Sequence, residues 1–178
     1  MRRRQLWLIA VLSLVTIAGC KKKSTVEFCG KTYKAPATRE IDCHDKSVRD
    51  LAPLSGMENL TKVNISGTSV SDLKPLGGLH KIEVLAANDT PLTDLSPIAE
   101  WPKLRELYLR NTQVKVLAAL AKAKALERLD VLGSKVDVPD LKPLAKLKNL
   151  KALFIYEVPI PEPKVEALRK TLPNLPIK

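Results

Sequence analysis

Aromatic side chains make up only 4% of this 178-residue chain, although 45% of it is apolar. A core of that composition must be built from Leu, Val, Ile and Ala. Histidine is scarcer still: His44 and His80 stand alone, one to a repeat unit, which leaves no imidazole pair for acid–base or metal work. Cys43 beside His44 lacks further ligands at ligand-like spacing. A phosphate-cradling loop, a nucleophile elbow, a paired-histidine zinc helix and a Cys-x-x-Cys pair are all missing. No enzyme, cofactor or metal is therefore expected, and an enzyme or enzyme regulator assembled from distant positions stays as an alternative. A bilayer-length apolar run is missing too. The longest, residues 6–18, stops short of the about 20 residues that a spanning helix needs.

That run follows Arg2, Arg3 and Arg4 and ends in IAGC, Ile17 to Cys20. Positive charge, a short apolar stretch and small residues in this order form a secretory leader. The end resembles the bacterial lipobox, an aliphatic residue and two small ones before a Cys. The resemblance implies cleavage before Cys20, a diacylglycerol on its thiol and an acyl chain such as palmitate on its amine. An ordinary leader, or a short anchor with a chance Cys, is the alternative. The domain plan is a signal peptide at 1–19, a tether at 20–27, an N-terminal cap with the first strand at 28–47, repeats at 48–160 and a C-terminal cap at 161–178. Lys21, where an Asp would hold a Gram-negative lipoprotein in the inner membrane, favours the outer membrane. Without the three leader arginines, 27 basic side chains face 19 acidic ones.

From Ile41 onward, apolar pairs two residues apart recur every 22 residues: Ile41/Cys43, Val63/Ile65, Leu85/Ala87, Leu107/Leu109 and Leu129/Val131. Leu153/Ile155 follows after 24. An amphipathic helix would repeat at 3.6 residues and a coiled coil at 3.5. A step of two is strand periodicity, with both side chains on one face. After each strand stands Asp45, Gly67, Asp89, Asn111, Gly133 or Glu157, mostly types that tolerate positive φ, so a sharp bend is expected. Thr68, Thr90, Thr112 and Ser134 come next, with hydroxyls suited to backbone groups that the bend leaves unpaired. Asp50, Asp72, Asp94 and Asp140 suit N-caps of helical turns, and Pro53, Pro75, Pro97 and Pro143 sit in the first turn, where a missing N–H costs nothing. The fourth unit lacks both letters and runs on as ALAKAKALERL, which predicts a more regular α-helix there.

The segments LTKVNISGTSVSDLKPL (60–76), IEVLAANDTPLTDLSPI (82–98) and LRELYLRNTQVKVLAAL (104–120) resemble leucine-rich repeats of the 22-residue, internalin-like kind. The resemblance covers residues 39–178 and implies an α/β solenoid: a short curved parallel sheet with helical turns on the convex side. Such a stack exposes core at both ends unless capped. TVEFCGKTY (25–33) alternates around a Gly and suits a small hairpin over the first coil. A helix over 162–171, with Val165, Leu168 and Leu172 on one face, suits the far end. Once Cys20 is lipidated, Cys29 and Cys43 are the thiols left for a disulfide in an oxidising compartment. Two reduced, buried thiols are the alternative.

The sheet face turned away from the core carries three outward columns. They run Glu40, Lys62, Val84, Glu106, Arg128, Ala152; then Asp42, Asn64, Ala86, Tyr108, Asp130, Phe154; then His44, Ser66, Asn88, Arg110, Leu132, Tyr156. Early coils place small or polar groups there. The last three gather Glu106, Tyr108, Arg110, Arg128, Asp130, Leu132, Phe154 and Tyr156, and aromatics beside arginine are the composition of interface hot spots. Phe154 and Tyr156 packed under the C-terminal cap, or charges paired off across strands, are the competing explanations. The expectation is a monomeric, non-catalytic scaffold, lipid-anchored in the bacterial envelope, that binds a protein or other envelope macromolecule through its concave sheet. A purely structural envelope lipoprotein is the alternative. Nucleic acid is not expected, because the lysines are dispersed and no binding motif accompanies them.

Overall fold

The computed structural model describes residues 24–136 and 141–178. The leader, the Cys20 lipidation site, Lys21–Lys23 and the Asp140 cap lie outside the described residues. Six strands, β3 (Glu40–Asp42), β4 (Lys62–Asn64), β5 (Val84–Ala86), β6 (Glu106–Tyr108), β7 (Arg128–Asp130) and β8 (Ala152–Phe154), pair in sequence order. Every neighbouring pair is parallel. The ladder sets Ile41 beside Val63, then Leu85, Leu107, Leu129 and Leu153. These side chains, and Cys43, Ile65, Ala87, Leu109 and Val131 two residues on, enter one continuous core. Full burial of each large one contributes about 1.5–3 kcal/mol. Ile155, in the last coil, is only half-buried.

Two further apolar residues per coil, such as Leu73 and Leu76 or Leu117 and Leu120, close the core from the helical side. The chain there forms 3-10 turns at Ala52–Leu54, Lys74–Leu76, Ser96–Glu100 and Ala118–Lys122. The fourth coil is thus 3-10 and not the expected α-helix, despite its alanines. A 3-10 turn advances about 2.0 Å per residue against 1.5 Å for an α-helix, so it spans the coil with fewer residues. An α-helical turn, α1 (Lys142–Ala145), occurs in the next coil, where the strand spacing widens to 24 residues.

The aspartate column acts one position earlier than an N-cap. Leu51, Leu73 and Leu95 hold the cap positions and make no side-chain cap bond. Asp50, Asp72 and Asp94 reach over them, each accepting from the first helical N–H, of Ala52, Lys74 and Ser96, at 2.8 Å. The shift follows from packing: the cap residue is one the core needs buried, so the carboxylate must come from the residue before it. Proline at the start of each of these turns removes an N–H that has no intrahelical partner.

After the strands, Gly67, Asp89, Asn111, Gly133 and Glu157 have φ between 52° and 75°. Asp45 is the exception; its turn forms with negative φ, and its carboxylate accepts the Ser47 N–H at 2.8 Å. Gly133 suits its positive φ, and a Cβ there would also push aside the Oδ1 end of the Asn111 side chain. The hydroxyls of Thr68, Thr90 and Thr112 donate to the carbonyls of Ile65, Ala87 and Leu109 at 2.7, 2.7 and 2.9 Å. Ser134 also donates to the Leu109 carbonyl. All four hydroxyl residues are buried.

Strands β1 (Thr25–Phe28) and β2 (Lys31–Lys34) form an antiparallel hairpin turned by Cys29 and Gly30, both at positive φ. Val26 and Phe28 point into the core over the first coil, and a disulfide joins Cys29 to Cys43 across a Cα distance of 5.9 Å. At the other end α2 (Glu162–Thr171) buries Val165 and Leu168. The last residues then turn back beside β8. Leu153 and Ile155 donate to the carbonyls of Pro176 and Lys178 at 3.2 and 2.8 Å, and Lys178 donates to Leu153 at 2.9 Å. Pairing with Ile177 covers the sheet edge that β8 would otherwise expose.

Candidate functional site

Parallel pairing in register puts the three outward columns side by side. Glu106, Arg128 and Ala152 are direct neighbours, as are Tyr108, Asp130 and Phe154. Arg110, Leu132 and Tyr156 continue the face, and the backbone there stays bonded from coil to coil: Asn111 donates to Leu132, and Gly133 to Tyr156, at 2.9 and 3.2 Å. Strand spacing of about 4.8 Å keeps these side chains within mutual reach.

Their environments differ. Asp130 is only 1% exposed although it faces outward. Its Oδ2 accepts from Nε and Nη2 of Arg110, both at 2.6 Å, and its Oδ1 accepts the Leu132 N–H at 3.2 Å. Asp130 therefore positions Arg110 and contributes little contact surface of its own, which narrows the set of outward residues available to a partner. Arg110 remains 48% exposed over this buried anion. A single carboxylate cannot saturate all five guanidinium N–H donors, so some of them face solvent.

Tyr108 is half-buried beside it and donates its hydroxyl to Oε2 of Glu106 at 2.5 Å. Burial first, and then the Glu106 hydrogen bond and charge, push the phenol up to about 12. It stays neutral near pH 7 and remains a donor. Phe154 has a cation over its ring from two directions, Arg128 at 5.7 Å and Lys178 at 5.8 Å from the centroid. Neither distance exceeds about 6 Å, so both cations feel the ring quadrupole. Lys178 arrives through the edge pairing of the chain end, and the sequence reading missed it. The alternation of Leu175 and Ile177 was the available signal.

Tyr156 is 66% exposed and so does not lie under the C-terminal helix. Leu132 is half-buried next to it. The late coils thus present one phenol ring free to contact a partner, one phenyl ring held between cations and one guanidinium oriented by a buried carboxylate.

The early coils differ in kind. Asp42, His44 and Asn64 bond one another, with His44 Nε2 3.1 Å and Asn64 Nδ2 2.8 Å from Asp42 Oδ1. Nδ1 of His44 is 3.0 Å from the Ser66 carbonyl, and Lys62 pairs with Glu40 at 3.0 Å. The ion-paired side chains are each more than half exposed, so this part is a solvated polar network and its pairs contribute little. Charge pairing across strands therefore explains the early face, while the aromatic cluster marks the late one.

Among the described residues, no group of three or more His, Cys, Asp and Glu is placed to hold a metal ion, and no helix is long and apolar enough to cross a membrane. A cleft of about 240 Å³ between α1 and α2 is lined mainly by Leu141, Ala145, Ala167 and Leu168. It lies apart from the aromatic cluster.

No family model and no curated protein matches the chain. Solved structures do. An internalin of Listeria monocytogenes aligns with a TM-score of 0.65 and 28% identity over 72% of this chain. Internalin C2 of the same organism aligns at 0.74 and 25% over 80%. A leucine-rich repeat protein of Leptospira interrogans aligns at 0.58 and 20% over 77%, a likeness of fold alone. The chain spans 37%, 62% and 40% of those three proteins. With the parallel sheet and its helical turns, these likenesses show an α/β leucine-rich repeat solenoid.

Proposed function

Starting from a leucine-rich repeat solenoid, we propose a non-catalytic binding scaffold that recognises a macromolecule, most simply a protein, through the late coils of its outer sheet face. The contact set is Glu106, Tyr108, Arg110, Arg128, Leu132, Phe154 and Tyr156, with Asp130 as the buried support. The observation that carries this reading is the exposed Tyr156 ring beside cations that are already oriented: Arg110 by Asp130 and Arg128 by Phe154. Preorganised aromatic and guanidinium groups lose little entropy on binding and dominate interface energetics. The internalins it resembles share the fold over part of their length, and partner identity does not transfer with a fold.

The lipobox-like IAGC supports a bacterial envelope location, with Cys20 as the lipid-bearing residue and the polar segment that follows as tether. Multiple acyl chains would hold the domain stably at a membrane. The 22-residue spacing of the strands supports the internalin-like form of the repeat.

The test compares two variants of the native chain on whole cells by in-situ crosslinking. Arg110→Ala combined with Tyr156→Ala should lower capture of its main crosslinked species by about thirtyfold or more, the loss expected of a hot-spot pair. Asp42→Ala combined with Asn64→Ala should leave it near the unmodified level. Equal capture by both variants would refute recognition by the late coils and favour a structural spacer. Mass spectrometry of the amino-terminal peptide reads the lipid on Cys20 separately.

A further inference from the structure

The formal charge divides unevenly along the stack. Residues 24–100 hold 8 basic and 11 acidic side chains, whereas residues 101–178 hold 16 and 8. Four of those eight acids are ion-paired among the described residues. Glu127 pairs with Arg105 and Lys151, Asp130 with Arg110, and Glu162 and Glu166 with Arg169. Four exposed lysines, Lys122, Lys124, Lys146 and Lys148, form no ion pair among the described residues.

Their placement follows the repeat. Lys122 ends the fourth 3-10 turn and Lys146 caps α1, one coil on. Lys124 and Lys148 follow two residues later in each coil. Nζ of Lys124 lies 3.4 Å from the Lys146 carbonyl, and Asn149 donates to the Lys124 carbonyl at 2.8 Å, so the two coils are in contact here. The corresponding positions of the earlier coils are Gly56, Gly78 and Glu100 in one column and Glu58, His80 and Pro102 in the other. Lysine thus fills every position of this patch in two adjacent coils and none in the three before them. The patch lies where the chain returns from the helical turn to the strand, off the outer sheet face. It can be engaged while that face stays open.

We propose that this four-lysine flank docks the domain onto the headgroups of an anionic phospholipid bilayer. The proposal rests on the lipid-anchor reading of Cys20, which would place the domain at such a surface. Three residues lie between Cys20 and Ser24, four residue steps with a reach of at most about 14 Å. The patch lies four to five strand spacings along the stack, on the order of 20 Å, so a domain resting on its flank brings the lysines to headgroup level. Opposite charge supplies the complementarity, and lysine ammoniums act as mobile point charges suited to a fluid surface. Each lysine near an anionic leaflet multiplies the docked-to-undocked ratio about fivefold, within a Debye length of the surface.

The test uses the full lipid-bearing chain reconstituted into vesicles of phosphatidylcholine, with or without one third phosphatidylglycerol. Nitroxides are placed at Ala125→Cys, beside the patch, and at Ala86→Cys, on the outer sheet face. Their relaxation by a headgroup-bound paramagnetic metal reports distance from the bilayer. In anionic vesicles the Ala125 label should approach the headgroups and the Ala86 label should not. Changing all four lysines to Gln should lower the docked ratio by up to several hundredfold, about fivefold per lysine, and high salt should lower it too. A charge-matched control, Lys31, Lys34, Lys46 and Lys74 changed to Gln, should leave docking intact, and each variant's thermal melt verifies folding. The proposal fails if the four-lysine variant docks normally, if the control loses docking equally, or if approach is the same without anionic lipid. It also fails if an oligonucleotide binds the patch and displaces it from the vesicle. A chain that stays with neither vesicle refutes the anchor, and docking with it. One that stays without approach refutes docking alone.

Discussion

The buried threonines permit a comparison in which the two substitutions are chemically the same and their costs should differ. Thr90→Val and Thr112→Val each remove one hydroxyl from a residue that is 3% and 1% exposed, respectively. In the first case the Ala87 carbonyl loses the Thr90 hydroxyl, its donor at 2.7 Å. The ladder amide one coil on cannot replace it, because the Arg110 N–H is already given to Oδ1 of Asn88 at 2.9 Å. A buried carbonyl left without a donor costs about 1–3 kcal/mol. In the second case the Leu109 carbonyl loses Thr112 but keeps the Ser134 hydroxyl. The cost is then nearer the net worth of one hydrogen bond, about 0.5–1.5 kcal/mol. Thr90→Val should therefore be the more destabilising by roughly 1 kcal/mol. Urea unfolding monitored by circular dichroism reads this as a lower midpoint at unchanged slope. Equal costs, or a larger cost at Thr112, would refute the view that the Ser134 hydroxyl acts as a second donor to the bend. The double variant Thr112→Val with Ser134→Ala would then serve as an internal check. It should cost more than the separate losses added together, because only the pair orphans the Leu109 carbonyl.

Reducing the Cys29–Cys43 bridge frees a 14-residue separation, so a melt with and without reductant should differ by about 3 kcal/mol on the chain-entropy account; no difference would show that the hairpin holds without it. Trp101 is fully buried and donates Nε1–H to the Leu76 carbonyl at 3.0 Å, so Trp101→Phe should destabilise by about 2–4 kcal/mol through a lost donor and a void, read by chemical denaturation. In acid, three carboxyls matter. Asp94 is held below its ordinary 3.8 first by the Ser96 hydroxyl and then by the Ser96 N–H, and Asp45 first by the Ser47 N–H. Glu127 is held below 4.5 first by Lys151 and then by Arg105. Depressed folded-state values mean stabilisation that is complete above the unfolded values and lost as pH falls through the folded ones. The melting temperature should thus be level above about pH 5 and decline below 4.5, and a rise on acidification would contradict the assignment. A spectrophotometric alkaline titration should show Tyr108 ionising at about 12, with a fall on Glu106→Gln, which removes the neighbouring negative charge.

Strand positions were legible because a parallel ladder imposes one residue spacing on every core column. Leu107 cannot leave its column without losing contact with Leu85 and Leu129. The helical side was less legible, because several turns satisfy the same inward leucines and the choice among them depends on how many residues must span the coil. The alanines of the fourth coil suggested α-helix on propensity, and coil dimensions overrode it. The aspartates gave the right bond from the wrong position, since sequence fixes which residue supplies the carboxylate and packing fixes which residue takes the cap backbone. At the site, the columns of outward residues were readable from the two-residue alternation. The burial of Asp130 was not, because it depends on Arg110 lying across the neighbouring strand. Lys178 over Phe154 depends on a return of the chain that no repeat letter announces.

That difference between readable and unreadable features bears on where the proposed recognition surface lies on the sheet. Repeat letters serve the coil and recur whether or not anything binds. Outward positions are less tightly bound to that role, although Asn64, Asn88 and Asp130 each accept a backbone N–H there. In the early coils the outward side chains bond one another and the backbone while exposed to solvent. In the late coils a buried anion appears where the alternation places a solvent-facing residue. Burying a charge costs several kcal/mol and breaks even only when its pairing is near complete. Asp130 meets that condition with two guanidinium bonds and one amide bond, and the result is a half-exposed Arg110 with its orientation set. A hydrophobic residue at 130 would take the acceptor from the Leu132 N–H and leave Arg110 free to move, whereas Asn keeps an acceptor there and removes only the charge. Asp130→Asn, close in shape but uncharged, should therefore leave the melting curve within about 1 kcal/mol if the pair adds little net stability. It should weaken partner capture along with Arg110→Ala, because the guanidinium is no longer held. Loss of stability with capture intact would assign the pair to folding and remove Arg110 from the recognition surface.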